Sequence, residues 1–565
     1  MTLFERILQA RGLVGADRES FLDPRYESGH DPFLLPDMAA AVKRLVKARE
    51  AQEYITIYGD YDIDGLTATT VLHEAFEAFG YEHVEVFIPN RFVEGYGMTV
   101  DAVERIAAIG ATLIVTVDCG SLSEAPIVRA KELGVDVIVT DHHNVAPVQP
   151  PAVAVINPKR QLQDHPKLYQ NYLLTNPEKY PKLYPFLDLP GVGVAFKLVQ
   201  ALQTKLEGLP KGQEKWLLDL VALGTVCDVV TLVDENRMHV YWGLQVLAKT
   251  RRPGLKALMA VAGVEPSSVN ARSLGFALGP RMNAAGRLET ALYAQDLLLT
   301  KRADVALAKA QLLDEMNVAR RQEQDVIYKM AIEQAESYTD DPVLVVSHAE
   351  WNHGIVGIVA AKLLEAHKKP TFVLQEIGEE SKGSARSYGD FSAADAIRAC
   401  DDIITKGGGH RLAAGVTLPT ANIEAFRRRV NDYFQSLQLR SQPPLLLPIA
   451  DIDLNSIGEV DEALIADIAL LEPYGHGNPE PIICAKSMTA TRIKRMGDNG
   501  QHLKLEVCDD CGNTIQLVAF NAPNEWFVEP GSVIDIWFQP TLNEWRGRRS
   551  VEGRLLRVVF VAENA

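Results

Sequence analysis

From residue 54 the chain alternates short apolar runs with longer amphipathic segments. The runs are YITIYGD, HVEVFIPN, TLIVTVD, VDVIVTD and AVAVIN, each rich in β-branched or aromatic residues and short enough for a buried strand. TATTVLHEAFEAFG and TVDAVERIAAIG lie between them with helical spacing. Strand and helix in strict alternation predict βαβ units, hence a doubly wound parallel sheet with helices on both faces. Ahead of it, residues 1–48 read as an amphipathic helical segment, with PDMAAAVKRLVKARE as the clearest piece.

The α/β pattern is expected to fill residues 49–235. A Pro- and Tyr-rich stretch at 160–190, with PKLY twice, breaks it and reads as an inserted loop or short helical excursion. Residues 236–302 are mostly helical. Residues 303–338 hold no Gly or Pro and predict one connecting helix, roughly 50 Å long at 1.5 Å per residue. A second α/β domain is expected over 339–440. SQPPLLLP then reads as a linker, and 449–565 as a strand-rich domain with Gly and Asn turns, fitting a small β-barrel of the OB type.

Composition narrows the class without naming a function. A chain of 565 residues with 47% hydrophobic and 23% charged residues is expected to be a soluble protein of several domains. MTLFERILQARG has no apolar core, so no signal peptide is expected, and no apolar run is long enough to span a bilayer. Six cysteines are sparse and suit a reducing cytoplasm. The net charge of −17 argues against a generic nucleic-acid binder, but clustered metal-binding acids would themselves deepen it.

GDYDIDG, directly after the first predicted strand, places Asp60, Asp62 and Asp64 on alternate residues. Three carboxylates so close repel one another unless solvated or joined by a cation. In a doubly wound sheet, ligands sit at the carboxyl ends of the strands. Asp118 ends a second strand there, and Asp141 a third, with His142 and His143 following. A mixed Asp and His donor set suits Mn²⁺ or a similar divalent ion. A lone DxD or a lone His pair is ordinarily a solvated turn or a structural pair; three such signals at three successive strand ends make a metal site the stronger reading.

GDYDIDG, VDCG, DHH and GTVCDVV, the last containing Asp228, resemble the four motifs of the DHH phosphoesterase superfamily. PNRFVEGYG, GPRMNAAGR, WNHGIVGIVAAKL, GSARS, GGGHRLAAG and LEPYGHGNP extend the resemblance over almost the whole chain, in order, to the RecJ family of bacterial exonucleases. It implies a DHH domain, a DHHA1 domain and an OB domain, and hydrolysis of single-stranded DNA from the 5′ end to 5′-mononucleotides, in recombination and repair. It also implies two divalent ions, Mn²⁺ or Mg²⁺, on Asp62, Asp64, Asp118, His142 and Asp228, with Asp118 bridging, and Asp60 and His143 orienting water or the scissile phosphate. Two such ions stabilise both the attacking and the leaving oxygen. Cys227 and Ala385 depart from the family pattern, as does the length of the 160–190 insertion, but none removes a ligand.

For the DNA strand and its 5′-phosphate the resemblance implies Arg91, Tyr96, Arg281, Asn283, Ser384, Arg386, Ser387, Gly408, Gly409 and His410. KGGGH can form an anion-binding nest of backbone N–H groups, and His353 is a weaker candidate. In the C-terminal domain RIKR, Trp526, Trp537, Trp545 and RGRR combine cations with aromatic rings, as single-strand binders do; for any one residue, surface charge or a core tryptophan serves equally well. Cys508 and Cys511 form a single CxxC, short of the four ligands of structural zinc, so VCDDCGN reads as a hairpin tip. Single-strand-binding protein, a RecQ-type helicase and mismatch-repair factors are the partners the family implies, for a protein acting as a monomer. Alternatives are a DHH phosphoesterase for small or short nucleotides, or a non-catalytic DNA-binding scaffold.

Overall fold

The structure, a computed structural model, describes residues 1–166, 183–439, 448–545 and 547–561. Most of the 160–190 insertion and of the linker lies outside the described residues. The chain divides into two compact units.

The larger unit spans Asp31–Asp228 and Gly243–Leu445. Its first sheet holds β1 (Ile55–Gly59), β2 (Val84–Phe87), β3 (Leu113–Val117), β4 (Asp136–Thr140) and β5 (Ala154–Ile156). The order is β2-β1-β3-β4-β5 and every pair is parallel. β1 and β3 are buried at every position, as strands covered on both faces must be. The strand order reverses between β1 and β3, which is where such sheets open a crevice for ligands. The helix Ile63–Phe79 crosses that edge closely. A Cβ on Gly59 would lie 2.1 Å from Thr69 Oγ1, and one on Gly65 would lie 2.5 Å from the Asp60 carbonyl oxygen.

The connecting helix runs Ala303–Ala335 and ends in a 3-10 turn, Glu336–Tyr338. It packs on the helices Pro253–Val261 and Gly279–Leu288. Its last turns, through Ile327, Ala331 and Ala335, enter the core of the second sheet. That sheet has order β6-β7-β8-β10-β9, from β6 (Leu344–His348), β7 (Thr371–Ile377), β8 (Glu380–Arg386), β9 (Lys406–Gly409) and β10 (Ala413–Pro419). β6 and β7 are parallel and the rest antiparallel. β7 alternates: Val373 packs toward the helix Val356–His367, while Phe372 and Leu374 pack toward the helix Ile423–Ser436.

The glycine run of KGGGH is not a nest. It is β9, an edge strand paired to β10 and exposed throughout. Glycine is needed there for packing: a Cβ on Gly407 would lie 2.4 Å from Ile397 Cγ2, and Gly409 has φ 144° with a Cβ position 2.6 Å from the Ala413 carbonyl oxygen.

The smaller unit joins Met1–His30, Val229–Trp242 and Leu446–Ala565. β11 (Ile452–Asp453), β12 (Ile483–Met496), β13 (His502–Cys508), β14 (Thr514–Ala519), β15 (Val533–Trp545) and β16 (Arg548–Phe560) form one sheet, and pairing of β12 with β15 closes five strands into a barrel. Trp526 and Trp537 are buried, so neither is a platform for bases; Phe520 and Phe560 are exposed. Cys508 ends β13 and Cys511 lies in the tight turn to β14, the hairpin tip anticipated from the sequence. The helix Leu3–Ala10 packs Leu3, Phe4, Ile7 and Leu8 into the barrel's core. Arg11 clasps Asp451 with Nε and Nη2 at 2.6 and 3.2 Å. No helix among the described residues is long and apolar enough to cross a membrane.

Candidate metal centre and nucleic-acid cleft

All seven sequence-predicted metal-site residues converge at the carboxyl edge of the parallel sheet. Asp60 follows β1. Asp62 caps the helix Ile63–Phe79, its Oδ1 accepting from Gly65 N at 3.1 Å, and Asp64 lies in the helix's first turn. Asp118 follows β3 in the left-handed conformation, φ 60°, an unusual state for a residue with a Cβ. His142 and His143 follow β4, and Asp228 caps the helix Leu218–Cys227.

His142 Nε2 lies 3.1 Å from Asp118 Oδ1, 3.6 Å from Asp228 Oδ2 and 3.8 Å from Asp64 Oδ2. Donor atoms within 4.8 Å of one another form three overlapping groups: Asp118, His142 and His143; Asp64, His142 and Asp228; Asp60, Asp62 and Asp118. Asp60 Oδ1, Asp118 Oδ1, Asp228 Oδ2 and His142 Nε2 are buried and accept or donate no hydrogen bond. Orphaned buried polar atoms are costly and rare. Four of them gathered at one centre are what a bound cation would satisfy, so the donor set fits a divalent metal, and its mixture of carboxylate and imidazole suits Mn²⁺ or a similar ion.

The electrostatics agree. Burial, with Asp64, Asp62, Asp228 and Asp60 around it, pushes Asp118 well above the usual carboxylate range. Burial and Asp62 lift Asp64 to about 7. Burial and the neighbouring His143 push His142 down to about 3, so its imidazole is neutral and its lone pair free to bind.

Two supports were not singled out from the sequence. Gly191 N and Val192 N donate to Asp64 Oδ2 and Oδ1 at 2.6 and 2.8 Å, aligning both carboxylate oxygens. Gly191 must lack a side chain, because a Cβ there would lie 2.6 Å from Asp118 Cβ. LPGVG carried a signal, a Pro-Gly start to an apolar helix, but its partner lies 127 positions away in the chain. The second support is Asp141. It accepts from Ser121 N at 2.9 Å, His142 N at 2.7 Å, His143 N at 3.0 Å and His143 Nδ1 at 2.9 Å. Burial alone would raise its pKa, yet the His143 hydrogen bond and charge hold it below the usual carboxylate range. Asp141 therefore holds the backbone of both histidines and the ring of His143, and leaves His143 Nε2 as that ring's outward nitrogen.

With this geometry in place, the likeness to known proteins is specific. Residues 54–225 match the DHH family N-terminal domain, 340–436 the DHHA1 domain and 451–556 the RecJ OB domain. The chain is 34% identical to the single-stranded-DNA-specific exonuclease RecJ of Salmonella typhimurium, over 91% of this chain and 88% of that protein. The chain belongs to the RecJ family. It is also 33% identical to the Escherichia coli RecJ, over 97% of this chain and 94% of that one. The Bacillus subtilis RecJ is 35% identical over 97% of this chain, which spans 66% of that longer protein. RecJ of Thermus thermophilus in complex with Mn²⁺ superposes with a TM-score of 0.81 at 29% identity, covering 98% of this chain and 75% of that one.

Of the strand-binding candidates, Arg91 and Tyr96 lie beside the acids. The Arg91 guanidinium sits 4.3 Å from the centre of the Tyr61 ring. Tyr96 is 53% exposed and meets the Tyr61 and His143 rings edge-on at 6.5 and 5.6 Å, so it is no core tyrosine. Ser384 and Arg386 flank the start of the helix Val356–His367, each 3.3 Å from the Cβ position of Gly357. Ser387 Oγ instead donates to the Phe391 carbonyl oxygen at 2.7 Å. Arg281 pairs with Asp314 at 2.8 Å and donates to the Ala277 carbonyl oxygen. Asn283 is half-buried on the same helix, and Gly408, Gly409 and His410 lie along the exposed β9 edge. His353 is held by Gln375 and packs edge-on to Phe92 at 4.9 Å.

The sequence reading passed over Arg287. Its Nη1 donates to the Gly354 carbonyl oxygen at 3.1 Å, joining the helical region to the second α/β domain. Burial lowers its guanidinium to about 10, with Arg91, Arg320 and Arg386 adding to the effect. Four arginines thus share one neighbourhood beside the acidic centre. None has an ion-pair partner within 4 Å among the described residues.

Proposed function

We propose that this chain is a metal-dependent exonuclease that hydrolyses phosphodiester bonds of single-stranded DNA from the 5′ end, releasing 5′-mononucleotides in recombination and repair. The observation that carries the reading is the juxtaposition of an acid and imidazole centre with orphaned donors and an arginine cluster that has no ion-pair partner within 4 Å among the described residues. A cation and a phosphodiester complete it together, and neither alone does.

Asp62, Asp64, Asp118, His142 and Asp228 would hold two divalent ions, with Asp118, common to two of the donor groups, as the bridge. The ions supply charge to stabilise both oxygens of the displacement. The residues of the chain do the rest. Asp141 fixes the His143 ring so that its outward nitrogen can hold or pass a proton at the scissile phosphate. Arg91, Arg287 and Arg386 bind the phosphates of the strand, and the exposed Tyr96 ring offers a face to a terminal base. Single-strand-binding protein, a RecQ-type helicase and mismatch-repair factors are the partners this reading predicts, with the enzyme acting as a monomer.

The test uses single-stranded DNA labelled at its 3′ end, Mn²⁺, the Asp62→Ala variant and a 5′-blocked strand. A ladder shortening from the 5′ end, absent with the variant and with the block, supports the reading. Degradation from the 3′ end, or none by the wild type, overturns it.

A further inference from the structure

The buried stripe of the long helix Ala303–Ala335 follows a spacing of three and four residues. It is apolar at Ala306, Ala310 and Leu313, and again at Ile327 and Ala331. The three layers between carry Asn317, Arg320 and Gln324. Polar side chains in an apolar seam cost stability and are kept where they specify something. Their bonding shows what. Arg320 donates from Nη2 to Asn317 Oδ1 at 2.7 Å and from Nη1 to Gln324 Oε1 at 2.8 Å. Both partners are neutral amides, so the guanidinium is positioned but not neutralised. The nearby carboxylate, Asp325, is paired with Lys362 at 3.1 Å. Asn317 is fully buried, and its Nδ2 has no partner.

The neighbouring helix Gly279–Leu288 sharpens the contrast. Arg281 on it meets Asp314 on the long helix at 2.8 Å, an ordinary charge pair. Six positions further along both helices stand Arg287 and Arg320, two like charges that repel each other. Folding places an acid opposite one arginine and withholds it from the next. Of the five N–H donors of a guanidinium, Arg320 spends two on its amide clamp. What satisfies such an arrangement is an external anion with several acceptor oxygens.

We infer that Arg320, held by Asn317 and Gln324, contacts a backbone phosphate of the bound strand, making the middle of the long helix part of the DNA-binding cleft. The inference rests on the functional reading above and adds a residue and an element to it.

The test is binding of a fluorescein-labelled single-stranded oligonucleotide by full-length protein in EDTA, read by anisotropy across a salt series. Arg320→Met is expected to bind 3- to 10-fold more weakly (roughly, for one phosphate contact) and to lose about 0.7 from the salt slope, equally for oligo-dT and a mixed sequence. Arg320→Lys should restore the slope. Asn317→Asp keeps the arginine but gives it a counter-charge, and should reproduce the loss with an unchanged circular dichroism spectrum. Wild-type affinity and slope in Arg320→Met, or in a folded Asn317→Asp, overturn the inference while leaving the exonuclease reading standing. A wild type that binds no single-stranded DNA overturns both.

Discussion

In the metal-free protein, replacing a carboxylate of the candidate metal centre should stabilise the fold. Asp118→Asn is the sharpest case. Asp118 is 2% exposed, and its donor atom lies within 4.8 Å of those of Asp60 and Asp62. At that separation and an effective dielectric constant near 20, two ionised carboxylates repel by about 3 kcal/mol. Asparagine keeps the shape and tolerates the left-handed backbone, so it removes charge without strain. The pH dependence gives the sign. Asp60, Asp64 and Asp118 have native pKa values above their unfolded values, so the native state binds more protons, and stability is lost as pH rises through that window. For Asp64 the window runs from 3.8 to about 7, worth on the order of 4 kcal/mol by pH 8. In EDTA at pH 8, Asp118→Asn should therefore gain about 2–4 kcal/mol, or roughly 2–5 °C in the melting transition of the larger unit. At pH 5 the gain should shrink, because proton uptake by the raised carboxylates, Asp64 with its value of about 7 among them, already relieves part of the repulsion. Saturating Mn²⁺ should reverse the order, raising the wild type and leaving the variant nearly unmoved. The measurement is a thermal scan at both pH values with EDTA and with Mn²⁺. A variant no more stable than the wild type in EDTA at pH 8, or a gain independent of pH, would refute the reasoning.

Gly191→Ala should abolish the Mn²⁺-dependent rise in melting temperature and nearly all nuclease activity, since its Cβ would lie 2.6 Å from Asp118 Cβ; a fully active variant counts against that close approach. Asp141→Asn should lower the pKa of His143, now raised because the Asp141 hydrogen bond outweighs burial, and should cost about 1–3 kcal/mol of stability below that pKa; NMR titration of the ring protons reads the shift. Tyr96→Ala should weaken single-strand binding by about 1–3 kcal/mol while Tyr96→Phe retains it, because the expected contact is a ring face; equal losses in both would assign the role to the hydroxyl instead.

The gathering of these acids and imidazoles was readable because each candidate ligand sits at a strand end, a helix cap or a helix's first turn, and the α/β pattern announces those positions locally. Asp60, Asp118 and His142 needed only the sheet's parallel order to be brought together. The supports were harder. Gly191 looks like any helix start until the Asp64 carboxylate is placed above it. Arg287 and Arg320 differ from Arg281 only in what faces them, and a charge partner on another helix has no local signature. KGGGH misled for a related reason: three glycines free the backbone for a nest, but pairing with β10 and contact with Ile397 take up that freedom. Trp526 and Trp537 likewise look like binding aromatics in a basic segment until the barrel closes over them.

The helix Leu3–Ala10 completes the barrel's core, and this sets an order of events during synthesis. Arg11 and the Asp451 it clasps are 440 positions apart in the chain. At about 5–20 residues per second, a nascent helix waits roughly 20–90 s for its partner. For that time an amphipathic segment stands with its apolar face uncovered while the sheets of the larger unit form behind it. The barrel strands, which emerge after the larger unit, must recruit a helix made before it. A protein expressed without residues 1–30 should therefore yield a poorly soluble C-terminal barrel, even though none of its strands has been touched.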